Sequence, residues 1–395
     1  MKKLLTLLLA LMLLFSACGT EKTGDAPVQP DDPAPATQPD DPAPAPMTDP
    51  TPEQQAEQRL HETIAGMTLE EKVGQLFFVR CPETGAEEDI RTYHLGGLLL
   101  FGRDYKDAAG NWLTEEQFTQ TLQSYQNAAD IPLFIGSDEE GGTVTRASRN
   151  PNLFSEKLAS PQSLYAALGL DGLVQKTEEY NRRLCALGVN VNFAPVCDVS
   201  TNPDNFIYDR AFGQDAQTTA DYISRVVPAY EEAGVACVLK HFPGYGNNAD
   251  THTGVAIDAR PYTTFEQSDL VPFETGIAAG APFVLVSHNV VECMDSAYPA
   301  SLSQKVHALL RGELGFDGIV LTDDLAMDAV KAYADDGSAA VLALLADNDM
   351  IVTTDYQTQI PQVIAAVRDG TIAESDIDAH VYRVLREKQA LGLID

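Results

Sequence analysis

The sequence predicts an α/β protein built as a single (β/α)8 TIM-type barrel, and three observations predict it. Eight short runs are continuously apolar, as strands covered on both faces must be. Stretches of helical character separate most of them, which is the alternation of a parallel barrel. Charged and polar residues gather at the C-terminal end of run after run, the end at which such a barrel carries its active site. An open doubly wound sheet would also bind ligands there, but the chain has neither a Gly-x-Gly-x-x-Gly turn nor a Walker-type lysine.

The elements follow in order. A helical stretch runs from Pro52 to Met67, and Thr68 with Glu71 forms a capping box for a second, short helix. The eight predicted strands are Gln75 to Arg80, Gly97 to Phe101, Leu133 to Asp138, Val189 to Asp198, Ala236 to His241, Pro282 to His288, Gly318 to Asp323 and Asp349 to Thr353. Val, Leu, Ile and Phe dominate them. Helices are expected over Asp171 to Leu187, Thr218 to Ala233 and Ser303 to Leu314. The residues placed at strand C-termini are Arg80, Asp138, Asp198, Lys240 with His241, Ser287 with His288, and Asp323.

The 395 residues divide unevenly. Lys2 and Lys3, an apolar run from Leu4 to Phe15, and Ser16-Ala17-Cys18 read as an export signal, shorter than a bilayer span requires. Small residues before a cysteine resemble a bacterial lipobox, in which residues 1–17 are removed and Cys18 is lipidated; Phe15 stands where that pattern usually has Leu. Residues 18–52 are rich in Pro, Asp, Ala and Thr, and the segment Gln29-Pro-Asp-Asp-Pro-Ala-Pro recurs from Gln38. Proline favours extended chain and the aspartates repel one another, so this is a disordered, semi-stiff linker. Residues 53–395 are the barrel. A formal charge of −32, from 26 Lys and Arg against 58 Asp and Glu, excludes nucleic acid as a partner and leaves the lipid anchor as the only membrane contact. Cys81, Cys185, Cys197, Cys237 and Cys293 show neither C-x-x-C nor other metal-ligand spacing, and are expected to be buried thiols behaving as small hydrophobes. No metal and no cofactor is implied, and a monomer is expected.

Lys240-His241-Phe-Pro-Gly ends the fifth strand and is followed by Asp250-Thr-His252. An imidazole titrates near neutral pH, and a carboxylate two residues away can orient it and stabilise its charged form. A second segment reads Gly315-Phe-Asp-Gly-Ile-Val-Leu-Thr-Asp323-Asp324, and a third reads Asp138-Glu-Glu-Gly-Gly-Thr-Val-Thr-Arg146. Asp209-Arg210-Ala-Phe-Gly213 forms a fourth.

Together these segments resemble glycoside hydrolase family 3, in its β-N-acetylglucosaminidase branch, and the resemblance spans Thr68 to the C-terminus. It implies a retaining exo-glycosidase that removes terminal β-linked N-acetylglucosamine, from cell-wall-derived or other glycans. By match of position Asp323 is the nucleophile, and Asp250 with His252 is the acid/base pair. Asp138, Arg146, Arg210, Lys240 and His241 line the sugar pocket; either arginine could instead be a structural ion-pair partner. Asp324 is expected to face elsewhere and cap a helix beginning at Leu325. Thr143 and Ala211 stand where the family usually has Arg and Ser. Lys240 and His241 are neighbours on one strand, so both reach the sugar only if that strand ends irregularly. Asp198 and His288 are expected in a hydrogen-bond network. Two other readings share the fold: a phosphorylase using the same site, and a catalytically silent sugar-binding lipoprotein.

The lipobox reading separates anchoring from chemistry. Cys18→Ala should move the protein from the membrane to a soluble or uncleaved form with the specific activity of the body unchanged. Detergent phase partitioning from the native host checks this, and a wild-type protein found wholly in the aqueous phase contradicts it.

Overall fold

A computed structural model describes residues 51–248, 254–333 and 338–395. The expected signal, Cys18, almost all of the linker and the pair Asp250 and His252 lie outside the described residues. Helix α1 (Pro52–Gly66) starts with proline in its first turn and with the Thr51 hydroxyl accepting from the Gln54 amide. Helix α2 (Leu69–Gln75) starts with the expected capping box, the Thr68 hydroxyl taking the Glu71 amide while the Glu71 carboxylate takes the Thr68 amide.

The eight strands of the barrel sheet are β1 (Phe77–Arg80), β2 (Gly97–Leu100), β3 (Phe134–Ser137), β4 (Val191–Asn192), β5 (Ala236–Phe242), β6 (Phe283–Val286), β7 (Ile319–Thr322) and β8 (Ile351–Thr353). Each pairs in parallel with its sequence neighbour from β1 to β7, and β1 also pairs with β8. The ring closes between β7 and β8 through a parallel bridge from Leu321 to Met350 and through the Met350 amide on the Val320 carbonyl. The fourth strand is far shorter than its apolar run. Pro195 cannot donate to a ladder, and from Phe193 onward the chain instead follows β5 loosely, the Val238 amide reaching the Ala194 carbonyl and the Cys197 amide the Lys240 carbonyl.

Large rings fill the barrel. Phe78 stacks near Phe134 and meets Phe193 edge-on, and Phe134 meets Phe283 edge-on. Adjacent strands supply glycine where those rings need room: a Cβ at Gly136 would lie 2.7 Å from Phe78 and 2.8 Å from Phe193. Below this layer Lys388, on the C-terminal helix Glu374–Ala390, is fully buried, donates to Gln75 Oε1 at 2.6 Å and lies over the Phe134 ring. Burial pushes its ammonium down to about 7.

Three of the five cysteines, Cys81, Cys197 and Cys237, are buried and free, as expected. Cys185 and Cys293 are exposed, because apolar neighbours in sequence do not fix which way one side chain of a helix or loop points. The helix expected from Asp171 begins earlier, at Pro161, and runs to Ala186 with a kink at Gly169. Among the described residues no helix is long and apolar enough to cross a membrane.

Asp349 closes the N-terminal face. Its carboxylate accepts from the Val320 amide at 2.8 Å, from His380 Nδ1 at 2.9 Å and from Arg383 Nη1 at 3.0 Å, and it pairs with Arg311. Burial alone would raise this carboxyl, but the His380 hydrogen bond and the Arg311 and Arg383 charges outweigh it and hold it at about 2. A carboxyl that falls from 3.8 to about 2 on folding contributes about 2 kcal/mol. That stability is present above the unfolded value and drains away as pH falls toward 2. Asp349→Asn should therefore flatten the acid limb of the stability profile and cost about 3 kcal/mol at neutral pH, because buried cations lose their counterion. Urea unfolding between pH 7 and 3 reads both effects; identical pH slopes in variant and wild type would contradict the assignment.

Candidate active site

At the C-terminal ends of the strands lies a pocket of about 390 Å³, lined among others by Arg80, Phe101, Asp138, Arg146, Arg210, Lys240, His241, Tyr245, Asp323 and Asp324. All six sequence-predicted site residues within the described region are thus brought to one cavity. The structure does not describe Asp250 and His252; the chain is described to Asn248 and again from Gly254.

The organising group is one the motifs contained but left without a role. Glu140, two residues beyond Asp138, is buried between two cations. Its carboxylate takes Arg210 Nε at 3.0 Å and Arg210 Nη2 at 2.8 Å, and Lys240 Nζ lies 2.6 Å from Oε1. Burial acts to raise the Glu140 carboxyl, yet Arg210 and Lys240 together hold it well below the usual carboxylate range. Burial likewise acts to lower the Arg210 guanidinium, and Glu140 more than reverses that. Lys240 Nζ also donates to Asp138 Oδ1 at 2.9 Å, whereas Arg146 reaches Asp138 Oδ2 only at 3.5 Å. Lys240, more than Arg146, orients Asp138. Arg210 is both an ion-pair partner and a lining residue.

Both Lys240 and His241 face the pocket because β5 does end irregularly, with its register against β6 shifting between Leu239 and Phe242. His241 is held tightly. Its Nδ1 lies 2.7 Å from Asp198 Oδ2, and its Nε2 lies 3.0 Å from Arg210 Nη2. A guanidinium only donates, so Nε2 accepts and the ring proton sits on Nδ1. Asp198, fully buried, also accepts the amides of His241 and Tyr245, which fixes the start of the loop after β5. Asp198 is thus a network residue, as expected.

Glu139 shapes the segment between Asp138 and Arg146. Its carboxylate accepts the amides of Arg146 and Ala147, both at 2.9 Å, and the Ser148 hydroxyl. The chain turns tightly enough that a Cβ at Gly141, where φ is 94°, would lie 2.3 Å from the Ala159 carbonyl oxygen. This fold-back brings Arg146 to the pocket, where its guanidinium and that of Arg80 both lie over the Phe101 ring, at 5.4 and 4.3 Å. Arg80 is a lining residue for which the sequence offers no role. The strand-end position was its only signal in the sequence.

Asp323 follows β7 directly. Its amide donates to the Val286 carbonyl, and its Oδ1 accepts the Asp324 amide at 2.8 Å. Asp324 lines the pocket as well and does not cap a helix. Its Oδ1 takes the Ala326 amide at 2.9 Å, its Oδ2 takes the Thr354 hydroxyl at 3.2 Å, and the next helical turn begins only at Asp328. Asp324 closes a local turn because the chain must bend before it can coil. His288, buried, donates from Nε2 to the Asp324 carbonyl at 3.1 Å and bonds the Ser301 hydroxyl through Nδ1. It belongs to the network that fixes the aspartate pair. Among the described residues no group of three His, Cys, Asp or Glu side chains is disposed to hold a metal ion.

Comparison with known proteins shows the family of the chain. The model of the "Glycosyl hydrolase family 3 N terminal domain" matches residues 68–387. A "Beta-hexosaminidase" of Nitrosomonas eutropha is 34% identical over 280 residues, 69% of this chain and 78% of that protein. "Beta-hexosaminidase LpqI" of Mycobacterium tuberculosis is 32% identical over 334 residues, 80% of this chain and 82% of that one. Among solved structures, a glycoside hydrolase family 3 β-N-acetylglucosaminidase from Paenibacillus superimposes with a TM-score of 0.76 at 32% identity, over 83% of this chain; the present chain spans 63% of that longer one. The structure of the mycobacterial LpqI gives a TM-score of 0.74 at 30% identity, covering 82% of this chain and 95% of that one. Matched by the family model over residues 68–387 and by relatives over most of its length, the chain belongs to glycosyl hydrolase family 3.

Proposed function

We propose that the protein is a β-N-acetylhexosaminidase that removes terminal β-linked N-acetylglucosamine from a glycan with net retention. The observation that carries the reading is the position of Asp323 in one pocket with Asp138, Arg146, Arg210 and Lys240. The volume suits a ligand of sugar size, and fixed donors and an acceptor stand ready for its hydroxyls. In the first step the Asp323 carboxylate attacks the anomeric carbon while His252, oriented by Asp250, gives a proton to the departing glycosidic oxygen. In the second, His252 takes a proton from water, the water oxygen bonds the anomeric carbon, and Asp323 leaves. Two inversions give retention. The fixed charges around Glu140 need no reorganisation as the oxocarbenium-like transition state forms.

The same reading places the enzyme outside the cytoplasm, tethered by lipid on Cys18, with cell-wall-derived glycans as the substrate class. The lysine pair, apolar run and small residues before Cys18 support this, as does the Pro- and Asp-rich spacer behind them.

Asp323→Ala should abolish turnover of β-N-acetylglucosamine arylglycosides while circular dichroism stays that of the wild type; near-normal turnover would move the nucleophile elsewhere, with Asp324 examined first. His252→Ala should show a dependence on leaving group. Acid/base assistance is worth roughly 10² to 10⁴ in rate, so cleavage of sugar or alkyl glycosides should lose that much. A nitrophenolate leaves without a proton, so its release should remain fast as a burst, followed by a slow steady state that azide accelerates. Equal losses with good and poor leaving groups, no burst and no azide rescue would leave His252 without the acid/base role.

A further inference from the structure

The described stretches that flank Asp250 and His252 in sequence are tied to one another, and one arginine holds the ties together. Arg260 lies on the returning stem. Its Nε is 3.0 Å from both oxygens of Asp258, its Nη2 is 2.7 Å from Asp258 Oδ2, and its amide reaches Asp258 Oδ1 at 3.0 Å. The same guanidinium grips Asp269 with Nη1 at 3.1 Å and Nη2 at 3.0 Å, and lies 4.4 Å above the Phe265 ring. Asp269 directly precedes the helix Leu270–Ala278, which packs against β5. Both carboxylates are almost wholly buried.

The outgoing stem runs over this cluster. Asn248 Nδ2 donates to Asp258 Oδ2 at 3.0 Å. A Cβ at Gly244, where φ is 122°, would stand 2.7 Å from Asp269 Oδ1, and one at Gly246, where φ is 53°, would stand 2.3 Å from the Arg260 guanidinium carbon. Glycine is needed at both because the backbone passes directly against the ion pair. The returning stem has one more anchor: Ile257 and Asp258 pair with Val290 and Val291, and the Val290 amide donates to the Ala256 carbonyl at 2.9 Å.

We infer that Arg260 is a positioning residue for the acid/base pair, acting as the clamp that sets the two ends of the segment carrying it. The inference rests on the reading of His252 as the acid/base. The anchor positions decide its reach. His252 is four residues beyond Asn248 and four before Ala256, a short enough span that the two anchors limit how far the chain between them can reach. Two carboxylates on one guanidinium are a poor way to gain stability, given the cost of desolvating them. They are an effective way to fix geometry: the arginine's planar fork meets both bidentately. Without it Asp258 and Asp269 would repel, and the returning stem would part from the helix that begins at Leu270.

The test uses the full-length enzyme and two β-N-acetylglucosamine substrates: a 2,4-dinitrophenyl glycoside, whose leaving group needs no proton, and a disaccharide, whose leaving group does. Arg260→Met should lower kcat/KM for the disaccharide about ten- to a hundred-fold, part of what the acid/base supplies, while the dinitrophenol burst rate stays within about two-fold of the wild type. Arg260→Lys, a point charge able to hold one carboxylate, should fall between. Gly246→Ala presses a methyl into the guanidinium and should reproduce the contrast; it decides the matter if Arg260→Met fails to fold by circular dichroism. A role in folding alone would lower both rates by one factor. That outcome, or no loss in either, overturns the clamp. His252→Ala run alongside separates the two failures: if it too lacks the contrast, the acid/base reading falls and the clamp with it, whereas contrast in His252→Ala alone overturns only the clamp.

Discussion

Glu140 sits with its carboxylate out of water and a cation on each side, and the catalytic end of the barrel is arranged around that fact. The residue belongs to the segment after β3, Arg210 to the loop after β4, and Lys240 to β5, so one buried anion draws three neighbouring strand ends together. Such a cluster adds little net stability, since desolvation consumes most of the attraction, but removing one member leaves a buried charge uncompensated and costs about 3 to 5 kcal/mol. What it secures is position. From Glu140 the contacts run through Lys240 to Asp138 and through Arg210 to His241 and Asp198, so each polar group on that side of the pocket is oriented by another before any ligand arrives.

The chemistry assigned to the pocket depends on this rigidity. A neutral sugar offers only hydroxyls and an amide, and fixed donors and acceptors discriminate among those more sharply than mobile ones, because a misplaced hydroxyl leaves a buried partner unpaired. Facing this cluster, Asp323 is fixed through its amide on Val286 and through the Asp324 turn, whose carbonyl His288 holds. Overall charge and local charge differ here. The chain carries −32 overall, while four cations, Arg80, Arg146, Arg210 and Lys240, line the pocket. The surface field governs solubility and keeps polyanions away; the cations act within hydrogen-bond reach.

Much of the architecture was legible because the strands are short and covered on both faces, which leaves a continuous apolar run as their mark. Seven lie within the runs that predict them and β5 runs one residue past its own, to Phe242; the largest contraction is β4, which retains two residues because Pro195 takes the chain out of the ladder. The gathering of Asp138, Arg146, Arg210, Lys240, His241 and Asp323 into one cavity followed from strand ends and motifs. What the sequence concealed is tertiary. The role of Glu140 exists only once Arg210 and Lys240, 70 and 100 residues later in the chain, come to it. That Lys240 and His241 share a side depends on the register shift in β5, which no spacing encodes. Asp324 closes a turn instead of capping a helix, and two cysteines expected in the core face outward; in both cases the local pattern allowed either outcome and neighbouring elements chose.

The retaining mechanism turns on a covalent bond to one carboxylate, and trapping that bond tests it most directly. A fluorinated β-N-acetylglucosaminyl fluoride with 5-fluoro substitution forms the glycosyl-enzyme readily and releases it slowly. Incubation with the purified enzyme, proteolysis and peptide mass mapping should locate a single added sugar on Asp323, with stoichiometric labelling and parallel loss of activity. Labelling of Asp324 or another acid, or complete turnover with inverted product and no adduct, would contradict the nucleophile assignment and the retaining mechanism built on it.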